Sequence, residues 1–88
     1  MPTLSVFFGI IVRMYREKGG KHAKPHIHAE YSGSEVVVTL DGEVLAGKIP
    51  KSKMKLLYAW MEIHRDDLEA NWSLLLNGEQ QFRIDPLR

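Results

Sequence analysis

The spacing of the apolar residues changes at Pro50, and this change limits what the chain can fold into. Before Pro50, β-branched and aromatic residues form short runs separated by glycine-containing turns, which is typical of strands. After Pro50, the apolar residues recur with helical spacing on one face: Met54, Leu57, Trp60, Met61, Leu68, Trp72 and Leu75. The sequence therefore predicts an α+β fold, with a sheet from the first half packed on a helical second half.

The first half predicts an antiparallel β-meander of three to four strands over residues 1–47. Residues 4–15 favour one strand, with Gly9 as a bulge or bend. Asp41-Gly42 is a strong hairpin signal, because both central residues of a type I′ turn have positive φ. The three further strands are expected at residues 26–31, 35–40 and 43–46.

The helical segment is expected over residues 50–77, with Pro50 at its start and Gly78 after its end. It forms either one long helix or a helix pair that breaks near His64, with Asp66 or Asp67 as the cap of the second helix. Its apolar face is expected to meet residues of the sheet that include Phe7, Ile11 and Val37. Residues 78–88 would form a C-terminal tail, or a short edge strand over 80–85.

The length of 88 residues supports a single domain over residues 1–88. The chain has no cysteine, which excludes disulfides and thiolate metal sites and suits a reducing compartment. The apolar stretch from Val6 to Val12 is too short to span a bilayer as a helix and lacks the flanks of a signal peptide. We therefore expect a cytoplasmic protein that does not contact a membrane.

The segment HIHAE places His26, His28 and Glu30 at alternate positions of a predicted strand. Side chains at such positions project to the same side, roughly 7 Å apart along the strand. Because Ile27 and Ala29 would take the core side, the three polar groups are expected on the solvent-facing side of the sheet. Three interpretations of this row remain open.

The first interpretation is a metal site, in which His26 and His28 offer imidazoles to a divalent ion such as zinc. Glu30 would be the third ligand, and His22 or His64 could also complete the site. A spacing of two residues is a weak signal, since many strands carry such pairs. For His64, which falls in the apolar helical stripe, packing is the simpler explanation.

The second interpretation is acid–base chemistry on RNA, with His26 and His28 as catalytic groups and the ribose 2′-hydroxyl as nucleophile. Residues 13–24 contain five basic residues and one acidic residue, Glu17. Four of these basic residues are candidates for nucleic-acid phosphate binding: Arg13, Arg16, Lys21 and Lys24. The third interpretation is that the imidazoles only form hydrogen bonds across the sheet, with Thr39 or Glu35.

Four segments in order resemble one family of short bacterial and archaeal proteins that is catalogued only as a domain of unknown function. The family patterns are M-P-T-[IL]-S-x-F-x-G-I-x-[IV]-x-M-[YF], P-H-[FI]-H-A-x-Y, G-x-[VL]-x-G-x-[LI]-P and W-x-x-x-H-[RK]-x-[DE]-L-x-x-x-W. This chain has MPTLSVFFGIIVRMY, PHIHAEY, GEVLAGKIP and WMEIHRDDLEANW. The patterns include these residues: His26, His28, Glu30, Tyr31, Trp60, His64 and Trp72.

The resemblance implies a partner more than an activity. Members of the family are often described beside a second small protein, in an arrangement like a toxin–antitoxin pair. We therefore expect a component of a two-gene module that acts through a nearby-encoded protein partner and through RNA or DNA. A metal-binding protein or metal-dependent hydrolase is the alternative, with a metal-free ribonuclease as a third hypothesis. The sequence leaves enzymatic activity and homo-oligomer formation open.

Overall fold

A computed structural model describes residues 3–20 and 23–88 of the protein. Its five strands form one antiparallel sheet in chain order, and two helices follow them. The elements are β1 (Thr3–Phe7), β2 (Ile10–Arg13), β3 (His26–Tyr31), β4 (Ser34–Thr39), β5 (Val44–Gly47), α1 (Lys51–Ile63) and α2 (Arg65–Leu76). The α+β class is confirmed, and the sheet has more strands than predicted. No described helix is long and apolar enough to cross a membrane.

The extra strand arises because residues 4–15 form a hairpin and not a single strand. The chain reverses at Phe8 and Gly9, whose φ angles are 49° and 82°, and Phe7 then pairs with Ile10. Two positive φ angles in a two-residue connection are the signature of a type I′ turn. The prediction was wrong because Phe8 is a poor turn residue, so an apolar run conceals the turn. The Phe8 side chain is 55% exposed.

The other turns follow the sequence more closely. Strand β3 has the predicted bounds, and Ser32 and Gly33 join it to β4 with positive φ angles of 49° and 85°. Asp41-Gly42 does connect β4 to β5, but not as a type I′ turn, because only Gly42 has a positive φ. The wider loop is closed by a hydrogen bond from the Thr39 N–H to the carbonyl of Glu43, 2.8 Å long.

The helical segment forms a pair, with the break at His64. His64 precedes α2 without a side-chain cap, so the predicted capping role of Asp66 or Asp67 is wrong. Both aspartates lie in the first turn of α2, where their charges favour the helix dipole. The C-terminal residues form no strand, but the Ile84 N–H donates to the carbonyl of Leu4 at 2.8 Å.

The helices cover one face of the sheet, and Phe7 and Trp60 meet there with ring centroids 5.2 Å apart. The predicted partners Ile11 and Val37 are not members of the core cluster. Their neighbours on β2 and β4 fill the core instead: Ile10, Val12, Val36 and Val38. Because side chains alternate along a strand, an error of one position moves a residue to the other face. The face away from the helices therefore carries Ile11 and Val37.

Gly47 lets strand β5 approach the backbone of β4 closely. The Lys48 N–H donates to the carbonyl of Glu35 at 3.1 Å, and a Cβ atom on Gly47 would lie 2.1 Å from that oxygen. Gly47 also has a φ of +72°, which L side chains rarely adopt. The position of Glu35 on the sheet thus depends on a glycine at position 47.

We expect Gly47→Ala to destabilise the protein by about 2–4 kcal/mol, because it combines backbone strain with a clash against the backbone of β4. Gly78→Ala is the matched control, since Gly78 has a φ of +71° but no atom within 4 Å of the added Cβ. Urea unfolding of both variants measures the difference. Equal losses of stability in the two variants would show that the close approach does not matter.

Candidate metal centre

His26 and His28 lie on the face of β3 opposite the helix-covered core. Ile27 and Ala29 take the core side, as predicted, and the two imidazole centroids are 5.3 Å apart. The prediction that both imidazoles face solvent is wrong, because His26 is 0% and His28 is 5% exposed. The sequence does not show this burial, since the covering residues come from elsewhere in the chain.

Two aromatic side chains cover the imidazoles. The ring of Tyr15, in the irregular segment after β2, stacks on His28 with centroids 3.8 Å apart and planes 10° from parallel. The ring of Trp72, from α2, lies 5.3 Å from that of His26. The imidazoles of β3 are therefore covered by the segment after β2 and by a side chain of α2.

The carboxylate of Glu17 meets both imidazoles on this covered face. Its Oε2 lies 2.9 Å from Nε2 of His26 and 2.6 Å from Nε2 of His28. Glu17 is partly buried and belongs to the irregular segment between β2 and β3. One potential ligand atom from each of these three residues lies within 4.8 Å of the others.

The hydrogen bond of Nδ1 fixes which nitrogen of His26 faces the carboxylate. Nδ1 is 2.6 Å from the carbonyl oxygen of Lys24, and a carbonyl can only accept, so Nδ1 carries the proton. Nε2 also lies within hydrogen-bonding distance of the Glu17 carboxylate, at 2.9 Å, and it donates there when the ring is an imidazolium; in the neutral ring with Nδ1–H, Nε2 has a lone pair instead. A backbone carbonyl in this position is the usual way to hold a metal-ligating imidazole.

His28 is less well satisfied. Nδ1 has no hydrogen-bond partner among the described residues, and the contact of Nε2 is the carboxylate of Glu17, 2.6 Å away. Its Nδ1 lies 3.8 Å from a carboxylate oxygen of Glu35. A buried polar atom without a partner is costly, so a further partner for His28 would stabilise the fold.

When both imidazoles are neutral and carry their proton on Nδ1, three acceptors converge: His26 Nε2, His28 Nε2 and the Glu17 carboxylate. Lone pairs repel unless a positive charge lies between them. Only extra protons on the imidazoles or a bound cation can supply that charge. Two imidazole nitrogens and one carboxylate are a common donor set for transition metals.

The electrostatic surroundings favour the protonation states that bind a metal. Burial lowers the pKa of His28, although Glu17 and Glu35 act against this. For Glu17, burial alone would raise the pKa, but hydrogen bonds from its own backbone and from His26, together with attraction to both imidazoles, outweigh burial and lower it. Burial, with the charges of Glu35 and Glu17, raises the pKa of Tyr15, so its phenol stays neutral.

Glu30, the predicted third ligand, is not part of this cluster. It faces Glu35 across β3 and β4, and Glu17 takes its place beside the imidazoles. His64 lies at the helix junction, where its Nδ1 is 3.6 Å from Asp67, and His22 lies outside the described residues. The signal for Glu17 was present, since it is the one acidic residue of segment 13–24, but spacing alone could not connect it to β3.

The candidate phosphate-binding residues separate into different environments. Lys24 forms an exposed ion pair with Glu43 at 2.9 Å. Arg13 pairs in register with His28, and Arg16 is exposed; neither forms an ion pair with any residue that the structure describes. Lys21 lies in the part of the chain that is not described. Of the three candidates that the structure describes, Arg13 and Arg16 therefore keep an unpaired charge and Lys24 does not.

A cavity of about 510 Å³ lies beyond Lys24 and Trp72, away from Glu17 and His28. Its basic residues are already neutralised, because Lys24 pairs with Glu43 and Arg65 lies 2.6 Å from Asp41. The cavity therefore offers no unpaired charge to a ligand, and the chemistry of the site lies with the three converging donors.

A family model described as a domain of unknown function, DUF4160, matches residues 9–73. The chain belongs to the DUF4160 family. The matched range contains all three converging residues of the DUF4160 chain, Glu17, His26 and His28. No curated protein and no solved structure gives a significant match. The family description assigns no activity, so the function has to be argued from the site.

We expect the metal-free protein to lose stability as the pH falls from 7 to 4. The folded-state pKa of His28 is lowered from 6.5 and that of Glu17 from 4.5, so the unfolded state binds more protons in both windows. Loss begins below about pH 6.5 through His28 and continues below about 4.5 through Glu17. Urea unfolding at several pH values in a chelator measures this.

His28→Asn is the control for the upper part of this pH range. The variant should lose less stability than the wild type between pH 7 and 5.5, because it has no imidazole to protonate. Identical pH profiles for the two proteins would contradict the argument.

Proposed function

We propose that the protein binds one divalent transition-metal ion through Nε2 of His26, Nε2 of His28 and the carboxylate of Glu17. The observation that supports this most is the convergence of two buried imidazoles and one partly buried carboxylate, with one potential ligand atom of each within 4.8 Å of the others. Nδ1 of His26 donates to the carbonyl of Lys24, so Nε2, which contacts Glu17 in the structure, is the nitrogen that would bind the ion.

The donor set favours zinc and similar ions. Calcium and magnesium prefer sites made only of oxygen ligands, whereas imidazole suits zinc, nickel, copper and iron. Metal–nitrogen bonds of about 2.0 Å in a tetrahedral site place neighbouring ligand atoms about 3.3 Å apart. The present separations from Glu17 to the imidazoles are 2.9 and 2.6 Å, so the carboxylate must retreat slightly, which its irregular segment allows. Three protein ligands leave a fourth position for water or an external ligand.

The ion would connect an irregular segment to the sheet. Glu17 lies between β2 and β3, and its segment covers the imidazoles mainly through Tyr15 and Glu17 itself. A ligand that binds only the folded state stabilises it by about 2.7 kcal/mol at a concentration of 100 times its Kd. For a cysteine-free chain of 88 residues, this is a substantial share of the free energy of unfolding.

We expect untagged protein to bind one zinc ion and to melt at a higher temperature with zinc than with a chelator. Glu17→Gln should weaken zinc binding by about 100-fold or more, because it removes an anionic ligand. Glu30→Gln is the control and should bind zinc as the wild type does, because Glu30 lies outside the cluster. Competition titration against a zinc chromophore measures the affinities. If Glu30→Gln lost zinc binding and Glu17→Gln kept it, the ligands would be His26, His28 and Glu30, and the proposed role of Glu17 would be wrong.

We also propose that the protein belongs to a two-gene, toxin–antitoxin-like module and acts through a small protein partner and nucleic acid. The resemblance of four ordered segments supports the module. The exposed side chain of Phe8 provides an apolar contact for a protein, and Arg13 and Arg16 keep unpaired charges for phosphates among the described residues.

Co-expression with the neighbouring gene's product tests the module. We expect a stable complex, and retention of nucleic acid at low salt that weakens in an Arg13→Gln, Arg16→Gln double variant. Lys24→Gln is the control, because the charge of Lys24 is already paired. A protein that stays monomeric and binds neither the partner nor nucleic acid would contradict the proposal. A homodimer without the partner would show that the protein associates with a second copy of itself and would contradict the two-gene module.

Direct acid–base catalysis by His26 and His28 remains a proposal of lower rank. Both imidazoles are covered, so RNA could reach them only after Tyr15 or Glu17 moves away. RNA cleavage that persists in a chelator and is lost in a His26→Ala, His28→Ala variant would favour the metal-free ribonuclease over the metal-binding function.

A further inference from the structure

We propose that Glu35 is the positioning residue of the metal centre: it accepts a hydrogen bond from Nδ1–H of His28 and so directs Nε2 towards the ion. The proposal rests on the metal site of Glu17, His26 and His28. It concerns a residue that supplies no ligand atom to that site. Glu35 would do for His28 what the carbonyl of Lys24 does for His26.

The position of Glu35 supports this role. His28 pairs in register with Val37, so Glu35 lies two residues along β4 on the same face of the sheet. One carboxylate oxygen of Glu35 is 3.8 Å from Nδ1 of His28. That nitrogen is buried and has no hydrogen-bond partner among the described residues. The nearest carboxylate therefore faces a buried donor that needs an acceptor.

The remaining gap is small enough for a side-chain rotation to close. A charge-assisted N–H···O bond is about 2.8 Å long, so the oxygen has to move about 1 Å. The side chain of Glu35 is half exposed and free to rotate. Its backbone is fixed, because its carbonyl accepts from Lys48 N–H and Gly47 packs against it. The backbone of Glu35 is thus held in place, while its half-exposed carboxylate can turn towards His28.

The tautomer of His28 is what this contact decides. With the proton on Nδ1, the lone pair of Nε2 points to the ion; with the proton on Nε2, the ring cannot bind a metal there. A carboxylate at Nδ1 stabilises the first arrangement and makes the imidazole a stronger ligand. Without Glu35, the second tautomer can instead donate to Glu17, which lies 2.6 Å from Nε2.

Glu30 is the control residue that distinguishes a positioning role of Glu35 from a general effect of a negative charge near the site. It pairs directly with Glu35 across the two strands and carries the same charge, but the ion-pair contacts of His28 among the described residues are with Glu17 and Glu35. Like charges in directly opposite positions repel. That repulsion pushes the carboxylate of Glu35 away from Glu30, and rotation towards His28 relieves it.

The experiment compares the zinc affinities of the wild type, Glu35→Ala, Glu35→Gln and Glu30→Ala by competition titration. Glu35→Ala should weaken zinc binding by about 10- to 100-fold, the range seen for outer partners of metal ligands. Glu35→Gln keeps a neutral acceptor and should recover part of the loss. Glu30→Ala should change the affinity by less than about 3-fold, as expected for a partly exposed charge outside the cluster.

Imidazole ¹⁵N spectra of the same four proteins show the tautomer of His28 directly. In the zinc-bound wild type, Nδ1 should carry the proton, and in metal-free Glu35→Ala the Nε2–H form should gain population. Equal losses of affinity in Glu35→Ala and Glu30→Ala, or an unchanged tautomer, would overturn the role of Glu35 while leaving the metal site intact. A wild type that binds no zinc would instead overturn the metal site itself.

Discussion

The contact between Glu17 and the two imidazoles of β3 is the interaction on which the polar side of this protein depends. Burying His26 and His28 leaves four ring nitrogens in need of partners, and a single carboxylate from a loop meets two of them. When both rings carry their proton on Nδ1, the two Nε2 atoms and the carboxylate all present lone pairs to one another, whereas a proton on Nε2 gives a hydrogen bond to Glu17. A cation would also resolve the conflict, and on this ground we propose that the cluster is a binding site.

The sheet is covered on both faces, but by different means. On one side, α1 and α2 bring Trp60 and Leu68 onto an apolar surface, where hydrophobic burial needs no directional bonds. On the other side, the irregular segment with Tyr15 and Glu17 covers polar groups, where every bond has a direction. A domain this small gains little from one core alone, so the second face, covered by Tyr15, Glu17 and Trp72 of α2, adds to the burial of the apolar core.

Much of the fold was predictable because it follows from local periodicity. Strand β3 and the change to helices after Pro50 needed only alternation, turn residues and helical spacing. The hairpin at Phe8 was missed because an apolar residue occupies a position that usually takes asparagine or glycine. Same-face placement of His26 and His28 was also predictable, but the partnership with Glu17 was not, since it depends on how a loop folds back over the sheet.

The location of Glu17 has a consequence for how the segment between β2 and β3 opens. If only an ion pair holds this segment to the sheet, the free energy of opening the segment depends on the protein alone. If a metal ion holds it, the free energy of opening also increases with the concentration of the free ion. Amide exchange and protease cleavage in this segment would then become faster as the concentration of the free ion falls, and His26 and His28 would become exposed to solvent more often.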